Sequence, residues 1–482
     1  MRKKRDSGGL KILFAVTEAV PFISTGGMGQ VAGALAHVLK ELHTEYDLRI
    51  VMPLYSEFRD RYESAMKFLG ETTVELAWRA QYCGVFELDL NGVTYYFVDN
   101  RNYFGRKRAY GYFDDGERFA FFSKAVFSVM DLAGFVPEII HAHDWQTALV
   151  PVYIKTRFAD RFGGVRTVFT MHNIEYQGQY ALDTLTDIFD LRAEEGGLVE
   201  YNGCINLMKG AVVCADRLTT VSPSYAREIQ SGSGHGLDAI IAENAGKLSG
   251  IINGIDTSAY DPETDPLLEM NYTSDTPEDK AVNKAKLQAL FGLPKAPRKM
   301  LICVVSRLVS HKGMDIITYM MDDLLKLDVQ FLLLGTGDHA YELFFSERAM
   351  QNPEKVGVNI AYNPEIAGAI YAGADAILMP SRSEPCGLAQ MIACRYGTIP
   401  IVRKTGGLGD TITDCRGGRG NGFVFDEYSA GALLDTISQA LDLYTYHEKD
   451  WKNLMREAME CDFSWDISAR EYADIYEQLR QG

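Results

Sequence analysis

Short runs of aliphatic and β-branched residues recur along the chain. Each is followed by turn residues and then by a longer stretch with apolar positions at helical spacing. In the first half the runs are "KILFAV" (11–16), "RIVMPL" (49–54), "EIIHAH" (138–143), "TVFTMH" (167–172) and "RLTTVS" (217–222). Continuously apolar strands joined through helices are the mark of parallel βαβ units with both sheet faces covered. One segment breaks the rhythm: "VELAWRAQYCGVFELDLNGVTYYFVDN" (74–100) alternates and turns at Asn91-Gly92, which predicts a β-hairpin inserted into the first domain. After Asn253 the rhythm restarts with "MLICVVSRL" (300–308), "QFLLLGTG" (330–337), "VGVNIAY" (356–362), "DAILMPS" (375–381), "TIPIVRK" (398–404) and "GFVFD" (422–426). The stretch 253–280 between the halves is polar and turn-rich, so a boundary is expected near Ile252, with the acidic loop decorating the second domain. The pattern predicts an α/β protein of two doubly wound domains, with ligands in a cleft lined by the carboxyl ends of the strands.

The length of 482 residues agrees with two cores rather than one. With 48 Lys+Arg against 65 Asp+Glu the formal charge is -17, which repels nucleic acid and anionic lipid. The basic run "GRKR" (105–108) precedes acids from Asp114 onward and reads as a solvated loop. Eight cysteines form no C-x-x-C pair, so neither a zinc cage nor a disulfide framework is indicated, and a reducing cytoplasm is expected. "MRKKRDSGGLKILFAV" has an apolar stretch of only about six residues, shorter than the roughly 7–15 of a signal peptide's core, and reads as a ragged start before the first strand. No apolar run approaches the ~18 residues of a membrane span.

Candidate chemistry collects at predicted strand ends. "STGGMGQV" (24–31) lies between the first strand and a helix start, where backbone N–H groups and the helix dipole suit a diphosphate; glycines needed only for a tight turn are the competing account. In "SRLVSHKG" (306–313), Arg307 and Lys312 can neutralise charge developing on a leaving diphosphate, or form structural ion pairs. "PSRSEPCGLAQ" (380–390) puts Glu384 just past a strand, with Pro385 and Gly387 expected to start a helix. Its carboxylate can bind sugar hydroxyls or offset the helix dipole. In the first half, "HAHDWQT" (141–147) and "MHNIEYQG" (171–178) bring His143, Asp144, Trp145 and His172 to strand ends without metal-ligand spacing. Trp145 beside Asp144 suits a sugar, and core packing of the ring fits equally. No metal or other cofactor is expected.

Together with "YGYFDDGERFAFFSKA" (110–125), "VSPSYAREI" (221–229), "GIINGID" (250–256), "YDPETDP" (260–266), "YAGADAILMPSRSEPCGL" (371–388) and "RKTGGLGDTI" (403–412), these motifs resemble the bacterial glycogen synthases and plant starch synthases, the retaining GT-B glucosyltransferases of family 5. The resemblance runs through nearly the whole chain. It implies two Rossmann-like domains, 1–252 on the acceptor side and 253–466 on the nucleotide-sugar side, with 467–482 a helix crossing back to the first domain. It also implies glucose transfer from ADP-glucose to an α-1,4-glucan such as glycogen. By position, Arg307 and Lys312 match the diphosphate pair, Glu384 the acid near the donor glucose and His172 the histidine over the sugar. Gly26, Gly27, Gly387 and Leu388 fall on the donor, and Tyr362 where the family stacks a tyrosine on adenine. Asp144, Trp145 and Asn253 fall on the sugar and acceptor side. Eight residues after Glu384, where sucrose-synthase-like relatives carry a second glutamate, stands Ile392.

The chain also departs from the pattern. The first glycine motif usually reads K-T-G-G-L-x-D, but here Ser24, Met28 and Gln30 stand instead; Ala389 follows "EPCGL" where threonine is common, and Gln146 replaces a histidine. Two opposite charges are lost together, so the loop's net charge is unchanged. An active synthase is expected, with the donor base open between adenine and uracil. A glucan- or nucleotide-sugar-binding paralogue without turnover is the other reading.

Overall fold

The computed structural model describes residues 9–361 and 363–481; the basic start and Tyr362 lie outside the described residues. The chain forms two compact units. One comprises residues up to Ile251 together with those from Trp465 onward, the other Ile252–Ser464.

In the first unit the strands are β1 (Lys11–Ala15), β2 (Asp47–Pro53), β3 (Lys67–Leu76), β4 (Arg79–Leu90), β5 (Val93–Asp99), β6 (Ile139–His143), β7 (Arg166–Met171), the short β8 (Gln179–Tyr180), β9 (Glu200–Tyr201) and β10 (Cys204–Asn206), then β11 (Arg217–Thr220) and β12 (Leu248–Gly250). Nine of them make one sheet in the order β12-β11-β7-β6-β1-β2-β5-β4-β3. β1 pairs in parallel with β2 on one side and β6 on the other, so the winding reverses there. Ile12, Phe14, Ile50, Ile140 and Phe169 are fully buried, which accounts for the unbroken apolar runs.

The hairpin expected over 74–100 is present as β4 and β5, turning through Asn91 and Gly92 at φ 51° and 77°. Both central residues lie in the left-handed region, which the Asn-Gly pair tolerates. It is not a separate insertion: β5 pairs in parallel with β2, and β3 adds a further antiparallel strand, so the hairpin extends the main sheet. The unit is completed by the helix Trp465–Gln481. There Tyr476 Oη meets His141 Nδ1 at 2.7 Å, and Tyr46 Oη donates to Glu477 at 3.1 Å.

The second unit contains β13 (Met300–Val305), β14 (Val329–Leu334), β15 (Val356–Asn359), β16 (Ala376–Met379), β17 (Ile399–Arg403) and β18 (Phe423–Phe425). They are all parallel, in the order β15-β14-β13-β16-β17-β18. Within the unit this is the 3-2-1-4-5-6 order of the dinucleotide-binding fold, whose ligands sit at the carboxyl ends of the first and fourth strands. Ile302, Val304, Phe331, Leu333 and Leu378 fill the core beneath that point.

Candidate functional site

The loops leaving β13 and β16 meet where the second sheet reverses. Lys312 lies in the single turn Ser310–Lys312, and Gly313, at φ 85°, ends it. A Cβ on Gly313 would stand 2.4 Å from the carbonyl oxygen of Pro380, so glycine is what lets the lysine loop lie against the end of β16. Across that contact Lys312 Nζ donates to both oxygens of Glu384 at 2.7 Å, and Ser381 Oγ donates to Oε2 at 2.9 Å. The carboxylate is 6% exposed. Arg307 is exposed at the end of β13 and has no ion-pair partner among the described residues. These groups line a cavity of about 210 Å³ together with Gly387, Leu388 and Ala389. A buried carboxylate held by one movable cation, with a second cation waiting nearby, can exchange partners when an anion arrives.

The Glu384 loop is braced from behind. Gly407 N–H donates to the carbonyl oxygens of Glu384 and Pro385 at 3.1 and 3.2 Å. Cβ atoms on Gly406 and Gly407 would stand 2.0 Å from Glu384 O and 2.2 Å from Cys386 O. The second glycine motif, "KTGGLGD", therefore works by close backbone approach. The helix expected to begin at Pro385–Gly387 begins instead at Ala389, because Gly387 has φ 77° and cannot take helical dihedrals. Gln390 ties that turn by donating to the carbonyls of Cys386 and Gly387. Asn253 belongs to this unit: its backbone N–H bonds the buried Cys386 thiol, and its own Oδ1 is buried without a partner among the described residues.

The first glycine motif is built differently. Gly26 caps the helix Gly27–Leu42 with an extended backbone, and neither Gly26 nor Gly27 has a positive φ. Both are exposed, and a Cβ on either would meet nothing within 4 Å. A need for positive φ thus does not account for them. What they leave is open backbone at a helix start. The loop is fixed from below by Glu18, 3% exposed, whose carboxylate accepts from Thr25 N and, at 2.8 Å, from Thr25 Oγ1. Ser24, in place of the family lysine, donates to Gly26 O at 2.9 Å. The contrast gives a paired expectation. Gly407→Ala should lower the unfolding free energy by about 3 kcal/mol or more through overpacking, while Gly27→Ala should stay within about 1 kcal/mol of the parent. Denaturant unfolding of the two variants measures it.

At the ends of β6 and β7 the polar groups are packed side by side. His143 Nδ1 lies 3.0 Å from His172 Nε2, and the rings stack at 5.3 Å. Burial drives the pKa of His141 and His143 well down and that of His172 to about 3. Asp144 has φ 57° and ψ 177°, a strained backbone for a residue with a side chain. Its Oδ1 accepts from His172 N at 2.7 Å, and burial pushes its pKa up to about 7 despite that bond. The half-buried ring of Trp145 stands edge-on to Phe119 at 5.4 Å and presses on Gly178, where a Cβ would stand 2.6 Å from it. The packing expected as one of its two roles is present.

Among the described residues no group of three or more histidine, cysteine, aspartate or glutamate side chains is arranged to hold a metal ion, and no helix is long and apolar enough to cross a membrane. Three contributors were missed from sequence: Glu18, Ser381 and Gly407. Glu18 follows the first strand as a lone carboxylate, and only the chain's return at Thr25 gives it a role.

Known proteins resemble the chain over nearly its whole length. The starch synthase catalytic domain family matches residues 11–243 and the glycosyl transferases group 1 family residues 288–457. Glycogen synthase of Streptococcus pneumoniae (strain 70585) is 44% identical over 477 residues, which is 98% of this chain and 100% of that protein. Glycogen synthase of Geobacillus thermodenitrificans (strain NG80-2) is 44% identical and is covered over 98% of its length. The catalytic domain of starch synthase IV from Arabidopsis thaliana, solved bound to ADP and acarbose, superposes with a TM-score of 0.89 at 30% identity, covering 98% of this chain and 100% of that one. Sucrose-phosphate synthase from Thermosynechococcus elongatus shares the fold, with a TM-score of 0.63 at 16% identity over 98% of this chain and 99% of that one.

Proposed function

Because this chain belongs to the glycogen synthase and starch synthase family of GT-B glycosyltransferases, we propose that it transfers glucose from ADP-glucose to the non-reducing 4-OH of an α-1,4-glucan with retention. The observation that carries the reading is the Lys312–Glu384 pair lining one cavity with Arg307, which has no ion-pair partner among the described residues, at the strand reversal of the second unit. The donor diphosphate enters between Arg307 and Lys312. Lys312 then leaves Glu384 for the phosphate, and the released carboxylate accepts hydrogen bonds from the donor glucose. Gly387 and Leu388 border the same cavity; of the other donor positions the resemblance implies, Gly26 and Gly27 are exposed at a helix start, and Tyr362 lies outside the described residues. The reading keeps His172 as the histidine over the donor sugar and assigns Asp144, Trp145 and Asn253 to the bound sugars.

Retention by double displacement needs two carboxyl groups about 5 Å apart. With Ile392 on the helix after Glu384, no second carboxylate stands where sucrose-synthase-like relatives place one. The acceptor hydroxyl therefore enters on the face from which the diphosphate departs. The new C–O bond forms as the bond to the diphosphate breaks, and a diphosphate oxygen takes the hydroxyl proton. Arg307 and Lys312 stabilise the charge that grows on the leaving group.

Release of nucleoside diphosphate from ADP-glucose and UDP-glucose, each with and without glycogen, tests the reading. Glycogen-dependent release from ADP-glucose with recovery of a lengthened glucan is the expected result. Preference for UDP-glucose would tie Ser24 and Gln30 to donor choice. No release from either donor, by a folded protein that still binds glycogen, would make this chain a binding paralogue.

A further inference from the structure

The imidazole of His143 is enclosed completely. His141 stacks on it at 4.1 Å, but both nitrogens of His141 are engaged, Nδ1 with Tyr476 Oη at 2.7 Å and Nε2 with Thr170 Oγ1 at 2.6 Å. Phe14, tilted against the ring at 5.4 Å, offers no lone pair. His143 Nε2 consequently has no hydrogen-bond partner among the described residues, while Nδ1 lies 3.0 Å from His172 Nε2.

Both rings are buried and neutral, so one proton occupies the bridge between them. If His172 donated it, His143 would carry its proton on Nε2 and bury an N–H with no acceptor, the costlier orphan. If His143 donates through Nδ1, the orphan is only a bare lone pair. His172 Nε2 is then an acceptor, and the proton of His172 must sit on Nδ1, which makes no hydrogen bond among the described residues.

We propose that His143 is a positioning residue that fixes His172 in the Nδ1–H tautomer, so that His172 presents a hydrogen-bond donor to an acceptor oxygen, a hydroxyl of the bound sugar. The proposal rests on the assignment of His172 to the sugar. Threonine and aspartate hold the two backbones in place: His143 N donates to Thr147 Oγ1 at 2.7 Å, and His172 N donates to Asp144 Oδ1. The rings are thereby left only the choice of proton position.

The test uses the full chain labelled with ¹⁵N-histidine. Two-bond ¹H–¹⁵N correlation spectra of the parent protein should show His172 protonated at Nδ1 and His143 at Nδ1. A parent protein with His172 protonated at Nε2 overturns the proposal, and this measurement needs no variant to fold. Asparagine places its amide nitrogen where histidine has Nδ1, so His143→Asn should keep the His172 tautomer and most of kcat. His143→Leu should release the tautomer and lower kcat by about 10- to 100-fold, the effect of one lost hydrogen bond to the reacting sugar. Equal losses in both variants with the tautomer unchanged would also overturn it. If instead His172→Ala retains full turnover, the assignment of His172 to the sugar fails, independently of the spectra.

Discussion

Replacing Lys312 with alanine is expected to lower kcat/KM by about 10²–10³-fold and to cost about 3–5 kcal/mol of stability in the second unit. The two losses have different origins. The stability loss follows from the ligand-free arrangement: Glu384, 6% exposed, would keep Ser381 Oγ and lose the cation of Lys312. A buried carboxylate with one neutral donor is poorly solvated. The activity loss follows from the proposed exchange, in which the same ammonium moves to the diphosphate. A second substitution separates the two. In Lys312→Ala/Glu384→Gln the buried charge is gone, so stability should recover while activity stays low. A Lys312→Ala protein that is both stable and active would sink the assignment of the pair. Unfolding curves and nucleotide-release rates on the two variants supply both readings.

Acidification should destabilise the first unit. The folded-state pKa of His172 is about 3, and those of His141 and His143 also lie well below the ordinary 6.5 because burial disfavours the imidazolium. Below about pH 6.5 the unfolded chain takes up protons that the folded unit refuses. The stability these groups contribute is therefore complete above that pH and is lost as pH falls toward the folded values. At pH 5 each histidine costs about 2 kcal/mol. Asp144 acts in the opposite sense. Its folded pKa of about 7 lies above the ordinary carboxylate value, so between roughly pH 4 and 7 the folded state binds the extra proton, and acidification favours folding through this group. It offsets about one histidine, leaving a net loss of roughly 3–4 kcal/mol between pH 7.5 and 5. Guanidinium unfolding monitored by tryptophan fluorescence at the two pH values checks this. A flat profile would mean that the histidines ionise inside the fold.

The α/β architecture was legible because parallel strands buried on both faces write themselves as unbroken apolar runs; "MLICVV" and "QFLLL" become β13 and β14 almost residue for residue. Strands that are exposed on one face or very short leave no such trace. Lys67–Thr73 of β3 and the three strands around residues 179–206 carry polar or turn-forming residues and were not anticipated. In the candidate site the charged residues stood out by type and position, and the backbone did not. Nothing in "KTGGLG" distinguishes glycines that admit another chain segment from glycines that leave space open. That difference appears only when Gly407 is found against Cys386 and Gly27 against nothing. The start of the helix after Glu384 was misplaced for a related reason, since the left-handed turn at Gly387 is a property of φ and not of composition. Glu18 escaped notice, and so did the contact between His143 and His172, because these partners become neighbours only once the chain is folded.

The second unit is written as one uninterrupted segment, whereas the first is completed by residues that follow it. A ribosome adding about 5–20 residues per second therefore finishes the unit that begins second before the unit that begins first. For roughly 10–40 s the nascent nine-stranded sheet lacks Tyr476 opposite His141 and the helix Trp465–Gln481 that packs on Gly27–Leu42. Over that interval apolar surface meant for the interior faces water, and a chaperone has its opportunity to bind. A chain released after Ser464 should accordingly be cut by protease in the first unit while the second resists.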